Sequence, residues 1–253
     1  MTADEEKARR QGAGCVVLLP TYNEAGNLER MLKAIHDQLP LVEVLVIDDN
    51  SPDGTGQIAD AAAASDRRVH VAHRPGKQGL GVAYRFGYRW ALDQGFARII
   101  QMDCDFSHAP SDLPRLVALL EEHPVVIGSR RVAGGGAEGW PWHRNLISSA
   151  GSLYARSVLA SPVRDLTTGF KAFRAEALRA LDLDQLRTDG FGFQIEVTAH
   201  LLAQGFDVHE MPIRFVDRTV GESKMSPKIF LEAMLKVWGI RGSVKKKKKS
   251  AAD

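Results

Sequence analysis

From Cys15 onward, short apolar runs alternate with longer stretches in which apolar residues recur every three or four positions. The runs are CVVLLP (15–20), VEVLVID (42–48), VHVAH (69–73), RIIQMD (98–103) and VVIGS (125–129). Helical patterns lie between them, from Asn27 to about Gln38, Gly54 to Ala64, about Val82 to Gln94 and about Ser111 to Glu122. Apolar strands separated by helices predict an α/β fold whose mainly parallel sheet is covered on both faces.

After Val132 the pattern changes. AGGGAEGWP (133–141) is a glycine-rich loop long enough to act as a lid. Residues 142–160 place Leu146, Ala150, Leu153, Tyr154 and Val158 at helical spacing, a stripe expected to pack into the core. A strand over 169–174, a helix over 192–204, a strand over 208–216 and a final helix from about Pro227 to Trp238 follow. The predicted organisation is a disordered lead (1–13), one domain (14–243) and a basic tail (244–253).

Composition narrows the class. The N-terminal segment is charged and lacks the apolar core of a signal peptide. No run approaches the roughly 20 apolar residues of a membrane-spanning helix. Two cysteines, Cys15 and Cys104, suit a reducing compartment, so a cytoplasmic location is expected. The formal net charge is +2, yet the run Lys245–Lys249 supplies five positive charges, and the rest of the chain carries a net −3. A nucleic-acid binder would carry its basic patch on the fold itself, so no nucleic-acid partner is expected. PGKQGLG (75–81) lacks the ending of a P-loop, the histidines show no zinc spacing, and no serine sits in a nucleophile elbow.

In parallel sheets ligands bind beyond the carboxyl ends of the strands. That rule selects Pro20–Glu24, Asp48–Ser51, Asp103–His108 and Ser129–Arg131. Asp103 and Asp105 flank one residue on a turn, a spacing that can converge on a divalent cation with a preference for oxygen ligands, Mg²⁺ or Mn²⁺. Alone, such a pair equally suits an acidic turn. Asp48, Asp49 and Asp53 add negative charge at the same edge, which a bound cation would offset. The basic counterpart is Arg130, Arg131, Arg144, Arg218 and Lys224, with arginine suited to bidentate phosphate recognition.

Eight motifs then occur in order: LPTYNE (19–24), VIDDNSPDGT (46–55), GLG (79–81), MDCDFSH (102–108), GSR (128–130), DLTTGFKAFR (165–174), GFGFQIE (190–196) and FVDRTVGESK (215–224). Together they resemble glycosyltransferase family 2 and, within it, the dolichol-phosphate or polyprenol-phosphate mannose synthases, over roughly residues 15–240. The resemblance implies the GT-A fold, with GDP-mannose as donor and a divalent metal. It implies that Pro20, Tyr22 and Glu24 line the nucleotide pocket, with Ile47 and Asp49 beside the base and ribose. It further implies that Asp103, Cys104 and Asp105 approach the diphosphate, with both aspartates as metal ligands. Arg130, Arg218 and Lys224 carry over as phosphate contacts, and Arg144 as an acceptor-phosphate contact. Two positions depart from the family pattern: Ser107 stands where glutamine is frequent on the metal side, and Cys104 replaces a commoner alanine.

The reaction so implied is inverting transfer of mannose to a polyprenyl or dolichyl phosphate. A phosphate monoester, with its second pKa near about 6, is already mostly ionised at pH 7 and needs no general base. A lipid acceptor predicts a peripheral position on the cytoplasmic membrane face, aided by the final amphipathic helix with its lysine tail or by a separate membrane-anchoring protein. The 142–160 stripe is the alternative contact for the lipid tail if it does not pack into the core. Two other functions fit parts of the pattern: glucose transfer from UDP-glucose to the same lipid class, and a non-catalytic subunit that binds a nucleotide sugar.

Overall fold

The computed structural model describes residue 7, residues 11–216 and residues 236–244, with residues 143 and 144 described in their backbone alone. A seven-stranded sheet forms the centre. Its strands are β1 (Cys15–Thr21), β2 (Glu43–Asp48), β3 (Val69–His73), β4 (Arg98–Gln101), β5 (Val125–Ser129), β7 (Lys171–Arg174) and β8 (Val208–Pro212). They lie in the order β3-β2-β1-β4-β7-β5-β8. Every pairing is parallel except the two made by β7, which runs antiparallel to both β4 and β5. Two short strands, β6 (Gly136–Glu138) and β9 (Arg214–Val216), pair separately in parallel.

Strand alternation divides the apolar residues between two cores. Val16 and Leu18 of β1 face one side with Leu45, Ile47 and Ile99, while Cys15, Val17 and Leu19 face the other with Val44, Val46 and Ile100. Helices α1 (Leu28–Gln38), α2 (Thr55–Ser65) and α4 (Leu113–Leu119) cover the second core. The first is covered by α3 (Leu80–Asp93), α6 (Ala175–Arg179) and α7 (Phe191–Ala203). With both faces buried, β1 shows the continuous apolar run expected of an internal parallel strand. The closeness of α3 to the sheet depends on Gly87, where a Cβ would lie 2.9 Å from Ile47 Cδ1 and 3.0 Å from Leu18 Cδ1.

The remaining long helix, α5 (Trp142–Leu159), reverses the sequence expectation. Ser152, Ala155 and Val158 are its buried positions, whereas Leu146, Ala150 and Leu153 are exposed. Of the expected stripe only Val158 is buried, and Tyr154 is half-buried. Small residues let this helix approach the body, so the larger apolar side chains are left outside. Two further differences are local. The glycine-rich loop contains β6, and the run over 208–216 is split at Ile213, whose side chain turns into the core while β9 leaves to pair with β6. Of the final helix, residues 227–235 lie outside the described residues. Residues 236–244 are helical, with Val237 and Ile240 in the first core and Trp238 exposed.

Candidate active site

Because β1, β2, β4 and β5 are mutually parallel, their carboxyl ends share one edge of the sheet. At the end of β1, Glu24 N donates to Thr55 Oγ1 (2.9 Å), and Asn27 Nδ2 donates to a Glu24 carboxylate oxygen (2.8 Å). Lys77 Nζ sits 4.3 Å from the Tyr22 ring centroid. Asp53 binds this turn to the next one, accepting from Ala25 N at 3.0 Å and from Thr55 Oγ1 at 2.6 Å. Burial alone would raise the Asp53 pKa, but these hydrogen bonds outweigh it and hold the carboxyl below its ordinary value. Pro20, Tyr22 and Glu24 are thus together on a braced loop.

At the end of β2 the two neighbouring aspartates have different environments. Asp48 is buried and occupied with structure, accepting from Thr21 Oγ1 (3.3 Å), Ser51 N (3.2 Å) and Ser51 Oγ (2.6 Å). Asp49 lies 2.9 Å from Arg74 Nη1, with both side chains buried. Burial raises the Asp49 pKa, partly offset by Arg74. Ile47 is fully buried in the core below α3, so only its backbone is available to a ligand.

The turn after β4 carries the carboxylate pair. Tyr84 Oη donates to Asp103 Oδ1 at 3.3 Å, and His108 Nδ1 lies 3.9 Å from Asp103 Oδ2. Asp105 Oδ1 accepts from Ser107 N at 3.0 Å. Phe106, between them, holds φ at +60°, a conformation that aromatic residues rarely adopt and that turns the chain sharply enough to place Ser107 beside Asp105. Cys104 is buried, and burial, with Glu24, Asp105 and Asp103 nearby, pushes its thiol well above the ordinary range. It therefore stays protonated and unreactive at neutral pH. Burial lowers the His108 pKa to about 4 against the opposing pull of Asp105, which leaves the ring neutral; it stacks on Phe170 at 5.1 Å. A Cβ on Gly169 would lie 3.2 Å from Asp103 Oδ2, so the strand start at β7 also closes around this turn.

Ser107 Oγ is buried with no hydrogen-bond partner among the described residues. An orphaned hydroxyl beside two carboxylates suits a divalent cation, or its bound water, better than it suits a closed structural turn. Among the described residues no three histidine, cysteine, aspartate or glutamate side chains are grouped to hold a metal ion. A cation that completes its shell with substrate phosphates needs only one or two protein carboxylates, so the residues present fit that kind of site.

Across β7, Arg130 is buried and largely committed. Its Nε and Nη2 donate to the two Asp165 oxygens at 2.7 and 2.8 Å, its backbone N donates to Asp165 at 3.0 Å, and Nη2 also reaches Thr167 Oγ1 at 2.8 Å. Trp140 and Phe215 flank the guanidinium, with ring centroids at 5.6 and 5.4 Å. This leaves the Nη1 hydrogens as the donors not engaged by Asp165 or Thr167. Burial opposes the Arg130 charge, but Asp165, with a smaller contribution from Asp103, raises its pKa. The structure therefore places Asp103, Asp105, Ser107 and Arg130 at the same edge of the sheet, with Asp103 near enough to raise the Arg130 pKa. Arg218 and Lys224 lie outside the described residues, as does the side chain of Arg144. The described chain reaches residue 216 beside the carboxylate turn, where Val216 N donates to Ser107 O at 3.2 Å.

Sequence reasoning did not assign Asp165, Tyr84 or Arg74. Asp165 opens one of the recognised motifs, which was the available signal. Tyr84 and Arg74 carried none, since each lies in a stretch that reads as ordinary helix or loop.

Comparison with known proteins agrees with this architecture. The family model described as glycosyl transferase family 2 matches residues 16–182. An undecaprenyl-phosphate mannosyltransferase of Micrococcus luteus is 48% identical over 227 residues, covering 89% of this chain and 93% of that protein. A polyprenol monophosphomannose synthase of Mycolicibacterium smegmatis is 43% identical over 249 residues, covering 92% and 94% respectively. Among solved structures, glucosyl-3-phosphoglycerate synthase of Mycobacterium tuberculosis, in complex with Mn²⁺, UDP and glucosyl-3-phosphoglycerate, superposes with a TM-score of 0.64 at 22% identity. That likeness covers 96% of this chain and 84% of the other, and the shared architecture is the GT-A fold. The chain belongs to glycosyl transferase family 2.

Proposed function

We propose that this protein transfers mannose from GDP-mannose to the phosphate of a polyprenol, giving polyprenyl-phosphate mannose with inversion at the anomeric carbon. The observation that carries the reading is the Asp103–Asp105–Ser107 turn, with its orphaned hydroxyl, facing a buried arginine across β7. The two relatives above are named for transfer of mannose to polyprenol-type lipids, and their similarity spans most of this chain.

In this reading Asp103 and Asp105, with Ser107, hold Mg²⁺ or Mn²⁺. The metal, when bound, stabilises negative charge on the departing diphosphate. Pro20, Tyr22 and Glu24 bound the nucleotide pocket, and Asp49 faces the base and ribose. Cys104 approaches the diphosphate through its backbone. Ile47 contributes backbone as well, since its side chain is in the core.

The acceptor phosphate arrives already ionised, so the chain's task is to hold two anions in line and close together. Arg130 supplies its remaining donors to phosphate while Asp165 fixes its orientation. Arg144, Arg218 and Lys224 supply further positive charge. Tyr84 holds Asp103 in place.

No helix among the described residues is long and apolar enough to cross a membrane. Access to a lipid acceptor therefore takes place at the membrane surface. We place the chain on the cytoplasmic face, held by the lysine tail or by a separate membrane-anchoring protein.

The decisive experiment is transfer of labelled mannose from GDP-mannose to a short-chain polyprenyl phosphate, with and without Mg²⁺ or Mn²⁺. Metal-dependent labelled lipid is expected, with GDP competing better than UDP. Absence of product, or preferential competition by UDP, would overturn the assignment.

A further inference from the structure

A cavity of about 250 Å³ opens beside α5, lined by Arg131, Ser149, Ser152, Leu153, Arg156 and Arg164. Three guanidinium groups reach it from three places: just after β5, the last turn of α5 and the loop before Asp165. Among the described residues none of the three forms an ion pair with a carboxylate. The nearby acids have other tasks. Asp165 pairs with Arg130, and the Glu210 carboxylate accepts the backbone N–H groups of Arg164 (2.7 Å) and Asp165 (3.0 Å).

Several donors in this cavity are buried and unmet. Among the described residues Arg131 Nε, Arg156 Nε and Ser152 Oγ have no hydrogen-bond partner, and Ser152 is only 3% exposed. Arg131 is held in place by Ser149 Oγ and Ser148 Oγ, each 2.7 Å from its terminal nitrogens. Burial lowers the Arg131 pKa; Asp165 opposes this in part, and the neighbouring Arg130 charge adds to the lowering. Unpaired buried donors and like charges held together are costly, and an oxyanion satisfies both. Guanidinium forks match phosphate oxygens in particular. The cavity is smaller than the roughly 300–1,000 Å³ of sites for drug-sized ligands, so it suits a single phosphate group.

The surroundings identify the source of that phosphate. Leu153 lines the cavity yet is 61% exposed, and on the same helix Trp142 is 78%, Leu146 60% and Ile147 47% exposed. Trp238 is exposed beside them, its Nε1 donating to Tyr154 Oη at 2.9 Å. An exposed apolar helix face flanked by arginines is the pattern of a helix lying in a membrane interface.

We propose that Arg131, Arg156 and Arg164, with Ser152, form a phosphate site outside the substrate cleft that takes the headgroup phosphate of an anionic membrane lipid. It deepens the membrane association proposed above but does not depend on the sugar chemistry, and its test contains no nucleotide sugar.

The test is co-sedimentation of the full-length chain with phosphatidylcholine vesicles, with and without phosphatidylglycerol. The double variant Arg156→Gln/Arg164→Gln should bind the anionic vesicles about twenty-five-fold more weakly, about five-fold for each arginine. The lysine tail contributes equally to both proteins. Arg164→Gln alone, at an exposed position, should give the five-fold loss if the double variant folds poorly. Binding within two-fold of wild type by the folded variants would overturn the site. Inorganic phosphate is titrated in parallel. A variant that loses free phosphate but keeps full vesicle binding would overturn the lipid assignment in favour of a soluble anion.

Discussion

Arg130 and Asp165 form a bidentate, buried ion pair, thirty-five positions apart in sequence, just beyond the carboxyl end of β5. Removing one partner of such a pair leaves an uncompensated buried charge, which costs about 3–5 kcal/mol. Asp165→Ala should therefore lower stability by about that amount and also reduce transfer, because Arg130 loses its orientation. Chemical denaturation and mannose transfer, measured on the same preparation, check both effects. Unchanged stability would show that the pair contributes nothing net.

The same pair sets an acid limit. Burial opposes the Asp165 charge, but Arg130 outweighs it and brings the pKa to about 2, below the ordinary 3.8. A depressed carboxylate stabilises the fold above its unfolded pKa, and that contribution disappears as pH falls through the folded value. Stability should drop between about pH 4 and pH 2, by about 2 kcal/mol from this group. Melting temperature across that window, compared between wild type and Asp165→Asn, tests the prediction; the variant should show a shallower decline.

Lys171 should act in the alkaline range. It is fully buried in β7, donating to Gln194 O at 2.7 Å and Thr198 Oγ1 at 2.8 Å, and burial lowers its pKa to about 7. Between that value and the ordinary 10.5 the unfolded chain holds a proton that the folded chain has released, so this group makes stability rise with pH. Lys171→Met should remove that rise while retaining most of the stability at pH 7. Thermal melts from pH 7 to 10 distinguish the two proteins, and parallel curves would exclude the role.

Tyr84 is expected to matter through Asp103. Tyr84→Phe removes the hydroxyl that donates to Asp103 Oδ1 and little else from a fully buried ring. Groups that orient a metal ligand are worth about 10–100-fold in metal affinity. Mn²⁺ affinity should fall by about ten-fold, with stability lowered by no more than about 1.5 kcal/mol. Asp105→Asn should act more severely, reducing transfer by at least about a hundred-fold. Mn²⁺ titration followed by electron paramagnetic resonance reads the first effect and product formation the second. Full transfer by Asp105→Asn would remove that residue from the mechanism.

Much of this architecture was legible because burial writes itself into sequence. The strands at 69–73 and 125–129 match their apolar runs to the residue, and the four segments chosen by the carboxyl-end rule do follow β1, β2, β4 and β5. What stayed hidden depended on partners distant along the chain. KAFR carries no mark of strand direction, so the antiparallel insertion of β7 was not readable. Nor was the commitment of Arg130 to Asp165. Helix α5 misled because the pattern weighs large apolar side chains, whereas this helix packs through Ser152 and Ala155 and leaves Leu146 and Leu153 outside.

The reversed strand also governs where charge can collect. By running against its neighbours, β7 starts at the edge where they finish, and it keeps the strand bearing Asp103 and Asp105 two strand spacings, about 10 Å, from the strand bearing Arg130. Side by side, those groups would neutralise one another. Kept apart by a single width of backbone, the carboxylates leave Arg130 to its own counter-ion, Asp165.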